Sequence, residues 1–222
     1  LVVVDGSPDN TAEIARNYAL HVDHIRVIDN PENHGKGYVV RQGLLEAKGK
    51  YRLFMDADGS TAITHLETFL PALEEGNDVV IGSRDIEGAF VQVHQPRYRE
   101  IMGDMGNWAI RIVLGLWSYP DTQCGFKALS ARAAEAIASR MVVDRFGFDY
   151  ELIILAHKLG FTVKQLPVRW LNEEGSTVGG LFGPNGFIQV LIDLFKTKWR
   201  LVIGAYRISE YVSGDKKVEV GS

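Results

Sequence analysis

An α/β fold, with a doubly wound and mostly parallel sheet flanked by helices, is predicted by two features of the first 84 residues. Four short apolar runs, residues 1–4, 25–28, 51–55 and 78–81, have strand length and are separated by stretches of helical length. Each run also gives way at its C-terminal end to polar or turn-forming residues, the arrangement of parallel βαβ units. The first run leads into Asp5, Gly6 and Ser7, after which Asn10 or Thr11 can cap a helix reaching about Leu20. Asn30-Pro31 breaks the second run, and a helix over residues 37–47 follows. The third run delivers Asp56 and Asp58 before Gly59 turns the backbone away. A helix over residues 65–75 then leads to the fourth run, which ends at Ser83 and Arg84. Beyond Arg84 the rhythm changes to helices near residues 98–116, 131–140 and 149–159 and a strand at 161–166.

Composition narrows the function classes. With 222 residues, 46% hydrophobic, the chain can bury a substantial core as one domain. A net charge of −4 argues against nucleic acid as a partner, because phosphate backbones would be repelled. The single cysteine, Cys124, excludes an intramolecular disulfide framework and suits a reducing compartment. Residues 1–4 read as a strand and not as a leader, and a start inside a strand leads us to expect that the protein continues N-terminally.

The candidate chemistry gathers at strand ends. In open α/β sheets ligands bind beyond the carboxyl ends of strands, so Asp56 and Asp58 suit either a divalent cation bridging protein and phosphate or a turn-and-cap pair. Asp5 can accept hydrogen bonds from a base or ribose, or serve its turn. Asn33, Gly35, Lys36 and Gly37 open a helix and offer N–H groups and a cation to an anion, while Arg41 lies one helical turn further on. The acidic pair Asp149 and Glu151 opens another helix, where it either favours the helix dipole or does chemistry. Trp170 suits a sugar, a lipid chain or the core, and Cys124 reads as a packing residue.

The ordered set VDGSPDNT, NHGKGYVVRQG, MDADGST, VVIGSR, DTQCGFK, FGFDYELIILA and WLNEEGS resembles the inverting, nucleotide-sugar-using family 2 glycosyltransferases, in particular the dolichyl-phosphate glucosyltransferase branch. The resemblance covers nearly the whole chain. It implies a GT-A type fold in one domain: residues 1–84 as the nucleotide-sugar half, 85–180 as the acceptor half, and 181–222 as a membrane-interface helix and tail. It implies Asp5 at uracil or ribose, Arg41 at the base or nearby backbone, Asp56 at ribose and sugar, and Asp58 on a Mg²⁺ or Mn²⁺ ion at the diphosphate. Gly35 and Lys36 complete the nucleotide-sugar set. The expected reaction is inverting transfer of glucose from UDP-glucose, with another polyprenyl-phosphate transferase such as a mannosyltransferase as the alternative, and a nucleotidyltransferase or an inactive binding module as readings from other classes. Two departures stand out. Val4 precedes a single Asp5 where the family has two consecutive aspartates, and the family's preceding first strand is missing from the sequence.

A lipid monophosphate acceptor, with a second pKa near 6, is already a capable nucleophile at neutral pH, so the site needs cations more than a base. Arg84, Arg97, Arg99 and Lys127 are the candidates for the acceptor phosphate, with Arg84, Asp58 and Asp149 as the catalytic set, Asp149 as base or sugar-positioning group. A membrane surface is the expected partner, with the active site facing the cytoplasm. Phe187, Val190, Leu191, Leu194, Phe195, Trp199, Val202, Ile203 and Tyr206 recur at helical spacing among Lys196, Lys198, Arg200 and Arg207, which fits an interfacial helix or a core-packed terminal one.

Overall fold

The computed structural model describes residues 1–92, 97–171, 187–208 and 211. The described strands form three ladders. Strands β1 (Val2–Asp5) and β2 (Val27–Asn30) pair in parallel, Val2 opposite Val27 and Asp5 opposite Asn30. The pairing with β1 sets β2 two residues later than the apolar run, and the Asn30 side chain at its end donates to Gln42 (2.9 Å). A four-stranded sheet has the order β3 (Tyr51–Met55), β6 (Phe126–Ser130), β4 (Val79–Ser83), β7 (Val163–Pro167). The two-residue strands β5 (Phe90–Val91) and β8 (Arg169–Trp170) make a third, parallel ladder.

The sequence expectation of an α/β sheet with mostly parallel pairing holds, with one addition. Strand β6 runs antiparallel between β3 and β4, and it had no separate apolar signature because Lys127 interrupts it. The helices are α1 (Thr11–Ala19), α2 (Lys36–Glu46), α3 (Leu66–Glu74), α4 (Arg97–Leu114), α5 (Ala131–Ala138), α6 (Phe148–Lys158) and α7 (Phe187–Val202). Helix α7 stops before the predicted limit, where Gly204 takes a left-handed conformation (φ 71°) and the chain turns.

The core follows from strand alternation. Along β4, Val79 and Ile81 face a cluster with Leu129 and residues of α5 and α6, while Val80 faces Phe126, Ala128 and the α3 residues Phe69, Ala72 and Leu73. The sheet is thus covered on both faces. Helix α6 is enclosed from Phe148 to Ala156, acids included, and α5 and β7 pack beside it. Helix α7 packs on α4 and is pinned to α6 by the Tyr150 hydroxyl, which donates to the Val190 carbonyl (3.1 Å).

Candidate active site

The antiparallel strand builds the site. Because β3 and β4 both run against β6, their C-terminal ends and the segment leading into β6 converge on one edge of the sheet. Met55 lies opposite Phe126, so the next residue, Asp56, meets Gly125: the Asp56 N–H donates to the Gly125 carbonyl (3.1 Å). A Cβ at Gly125 would sit 2.0 Å from Asp56 Oδ2, so the carboxylate keeps this position only beside a glycine. The other Asp56 oxygen, Oδ1, is 2.6 Å from Lys36 Nζ. Asp58 is exposed, with one oxygen accepting from the Ser60 N–H (2.9 Å). No cluster of three or more acidic, histidine or cysteine side chains able to hold a metal occurs among the described residues. An exposed hard-oxygen ligand without further protein ligands fits a Mg²⁺ or Mn²⁺ ion that keeps water and substrate phosphate in its shell, and does not fit an all-protein cage.

The glycine-rich loop is held from below by Asp5. Its two carboxylate oxygens accept the backbone N–H groups of His34 (2.9 Å) and Gly35 (2.7 Å), and Asn33 Nδ2 donates to its carbonyl (3.0 Å). Gly35 takes φ 108°, which a side chain would resist, and α2 starts directly after it. Lys36 therefore emerges from the first turn of α2 toward the end of β3. Burial lowers its pKa, but Asp149 and Asp56 outweigh that and leave the ammonium more firmly protonated than usual. Arg41 turns the other way along α2, to the Met141 carbonyl (3.1 Å) and the Asp144 carboxylate (3.0 Å).

Arg84, directly after β4, makes a forked pair with Asp121, Nε at 2.7 Å and Nη2 at 2.8 Å, while its backbone N–H adds a third bond. Burial alone would raise the Asp121 pKa; the guanidinium overrides it and holds the carboxyl below its ordinary range. The guanidinium also lies over the Trp170 ring, 5.4 Å from its centre. Arg84 keeps 27% of its side chain exposed, whereas Lys127 has none. Lys127 donates inward to the Cys124 carbonyl (2.6 Å) and to Asp149. Burial pushes the Asp149 carboxyl up, and Lys127 and Lys36 only partly pull it back. The side chains of Arg97 and Arg99, at the start of α4, lie outside the described residues, as does the NEEGS part of the last motif.

Glu151 belongs to a different place. Its carboxylate accepts the N–H groups of Val142 (3.1 Å) and Val143 (3.0 Å) and the Tyr206 hydroxyl (2.7 Å), tying α6 to the loop ahead of it and to the turn after α7. Cys124 is buried, its thiol pushed up to about 11 by burial, first of all, and by Asp121. Two contributors escaped the sequence reading, Asp121 as the partner of Arg84 and Gly125 as the seat of Asp56. The DTQCGFK motif contains both, and a glycine one residue before a strand was the available signal.

Residues 1–138 match the family model described as Glycosyl transferase family 2. The chain is 32% identical over 222 residues to a dolichyl-phosphate beta-glucosyltransferase of Trichomonas vaginalis, covering 98% of this chain and 65% of that protein. A second one from that organism is 38% identical over 200 residues, covering 87% of this chain and 58% of the other. The human dolichyl-phosphate beta-glucosyltransferase is 31% identical over 219 residues, covering 95% and 66%. The chain therefore spans 58–66% of the length of these relatives. Among solved structures, glucosyl-3-phosphoglycerate synthase of Mycobacterium tuberculosis, in complex with Mn²⁺, UDP-glucose and phosphoglyceric acid, superposes with a TM-score of 0.57 at 21% identity, covering 89% of this chain and 67% of that one. At that identity the likeness is one of fold.

Proposed function

The chain belongs to glycosyl transferase family 2, and we propose that it moves glucose, with inversion, from UDP-glucose to the phosphate of a dolichol or related polyprenol at a membrane surface. The observation that carries this reading is the convergence of Asp56, Asp58 and Lys36 with the Arg84–Asp121 pair on one sheet edge. Relatives named dolichyl-phosphate beta-glucosyltransferases, matched along nearly the whole chain, support the choice of sugar and acceptor.

The division of labour follows from charge. Two anionic phosphates must be brought together, one leaving with the nucleotide and one attacking the sugar. A divalent ion, held by Asp58, would neutralise charge on the departing diphosphate as a Lewis acid. Asp5 keeps the glycine-rich loop in place beneath the nucleotide, and Asp56, seated by Gly125, faces the ribose and sugar. Lys36 sets a cation beside Asp56. Arg84, oriented by Asp121 and partly exposed, meets the acceptor phosphate, with Arg97 and Arg99 as further candidates. The phosphate oxygen attacks the anomeric carbon from the face opposite the nucleotide, the bond to the diphosphate oxygen breaks, and UDP leaves. Asp149 stands behind Lys36 as base or sugar-positioning group.

The lipid acceptor gives α7 its place. No helix among the described residues is long and apolar enough to cross a membrane. Yet Ile188, Ile192, Phe195, Trp199 and Val202 recur at steps of four and three and are exposed, while Leu194 and Thr197 on the other side are fully buried. Lys196 and Lys198 flank that exposed stripe. The helix then lies in the headgroup layer on the cytoplasmic side.

A transfer assay tests the reading: UDP-glucose, GDP-mannose and UDP-N-acetylglucosamine, each labelled in the sugar, are offered to a short polyprenyl phosphate with Mg²⁺, Mn²⁺ or chelator. The expected result is glucose label in the lipid, dependent on metal and reduced about 10³-fold in Asp58→Asn, since the ligand to the charge-neutralising ion is lost. Label from GDP-mannose alone would move the reading to a mannosyltransferase. No lipid label from any donor would reject it.

A further inference from the structure

The acceptor-phosphate expectation for Lys127 leaves its surroundings unexplained. The ammonium has no exposed surface, donates to Asp149 and to the Cys124 carbonyl (2.6 Å), and lies over the Phe54 ring, 5.5 Å from its centre. A phosphate could reach it only by displacing β6. Nor is stability a sufficient account, because a buried ion pair recovers little more than its desolvation cost, and an apolar side chain of similar volume would pack as well. What the pair does fix is where a charge points.

We infer that Lys127 is a positioning residue that orients Asp149 and, through it, Lys36 and Asp56. Asp149 pairs with Lys127 from β6 and feels the charges of Lys36 from α2 and Asp56 from the end of β3; the Lys36 ammonium lies over the ring of the neighbouring Phe148, 5.9 Å from its centre. Lys36 in turn holds Asp56 at 2.6 Å. The four side chains therefore alternate in sign, Lys127, Asp149, Lys36, Asp56, from the core to the site. The same strand start anchors both ends of this row: Gly125 seats Asp56, and two residues on Lys127 seats Asp149. Without Lys127, Asp149 has only Lys36 to pair with and draws that ammonium away from Asp56. The donor-side carboxylate then loses its fixed partner. This inference rests on the transferase reading only for its kinetic arm.

The sign of the pH effect is set by the geometry. Burial raises the Asp149 pKa and Lys127 is the larger of the two cations opposing it, so removing Lys127 raises it further. In Lys127→Met, kcat at neutral pH is expected to fall at least about tenfold, its acid limb to move up by about one pH unit, and KM for polyprenyl phosphate to stay within about threefold. Carbon-13 NMR of Asp carboxyl groups, with Asp149→Asn for assignment, should place the Asp149 titration correspondingly higher in Lys127→Met. The double variant Lys127→Met/Asp149→Asn, with both charges gone, should recover melting temperature but not kcat. A large rise in KM for the lipid phosphate with the acid limb unmoved would overturn the inference in favour of a direct phosphate ligand. Loss of melting temperature alone would overturn it in favour of a strut. If Lys127→Met does not fold, the wild-type Asp149 titration decides: an Asp149 that titrates in the ordinary carboxylate range refutes the row. A wild type that labels no lipid rejects the reaction, and the NMR arm still decides the pairing.

Discussion

Two acidic pairs with the same spacing meet different fates in this molecule. Asp56 and Asp58 leave strand β3, and Asp149 and Glu151 open helix α6, in each case with one residue between them. At the strand end the carboxylates stay near solvent, Asp58 with a single internal bond from Ser60. On the helix, two residues correspond to a rotation of about 200°, so the pair is split to opposite sides. Asp149 turns to Lys127 and the site, and Glu151 turns to Val142, Val143 and Tyr206. Spacing alone therefore says little; the backbone that carries it decides whether two acids stay together near solvent or part to opposite sides of the element.

The sharpest break in that comparison is Glu151→Ala. It leaves the buried Val143 N–H and Tyr206 hydroxyl, and the part-buried Val142 N–H, without their acceptor, and unsatisfied buried donors cost about 1–3 kcal/mol each before relaxation. A net loss of about 3 kcal/mol is expected by chemical denaturation, with kcat per folded molecule little changed. If kcat collapsed while stability held, Glu151 would belong with Asp149 and the two sides of α6 would not be distinct.

Gly125→Ala probes the strand-end pair with a smaller step. The added methyl meets the Asp56 carboxylate at 2.0 Å, and either the strand or the acid must shift. Transfer is expected to fall about tenfold, or about 1.4 kcal/mol in the barrier. A melting temperature within a few degrees of wild type would locate the damage at Asp56. Unimpaired transfer would mean that Asp56 needs no fixed seat.

Much of this was legible beforehand, for physical reasons. The βαβ order follows from apolar runs broken by Gly, Pro and Asx residues, and the strand-end acids follow from the runs that precede them. Strand β6 was not legible, since FKALS carries a charge at its second position, and only the fold reveals that Asp149 pairs with it. For the same reason Lys127 read as an open cation when it is an enclosed one. No local pattern could tell that the N–H groups of His34 and Gly35, 29 and 30 residues on, would each take one of the Asp5 carboxylate oxygens. Long-range pairings of this kind are fixed by tertiary structure, and periodicity carries no trace of them.

The smallest effect on folding separates the helix that is enclosed from the one that is not. Helix α6 is buried on every side from Phe148 to Ala156, whereas α7 buries one face and leaves Phe195, Trp199 and Val202 at 62–70% exposure. Exposed side chains contribute little to folding, so Trp199→Glu should change stability by no more than about 0.5 kcal/mol. If the face serves a membrane, the same change removes an interfacial aromatic and adds a negative charge among basic neighbours. Binding to vesicles containing anionic lipid should then weaken severalfold, and transfer to a long-chain polyprenyl phosphate in vesicles should fall with it, while transfer to a short soluble acceptor stays as it was. Equal losses on both acceptors would place the effect in the site and remove the membrane from the account of α7.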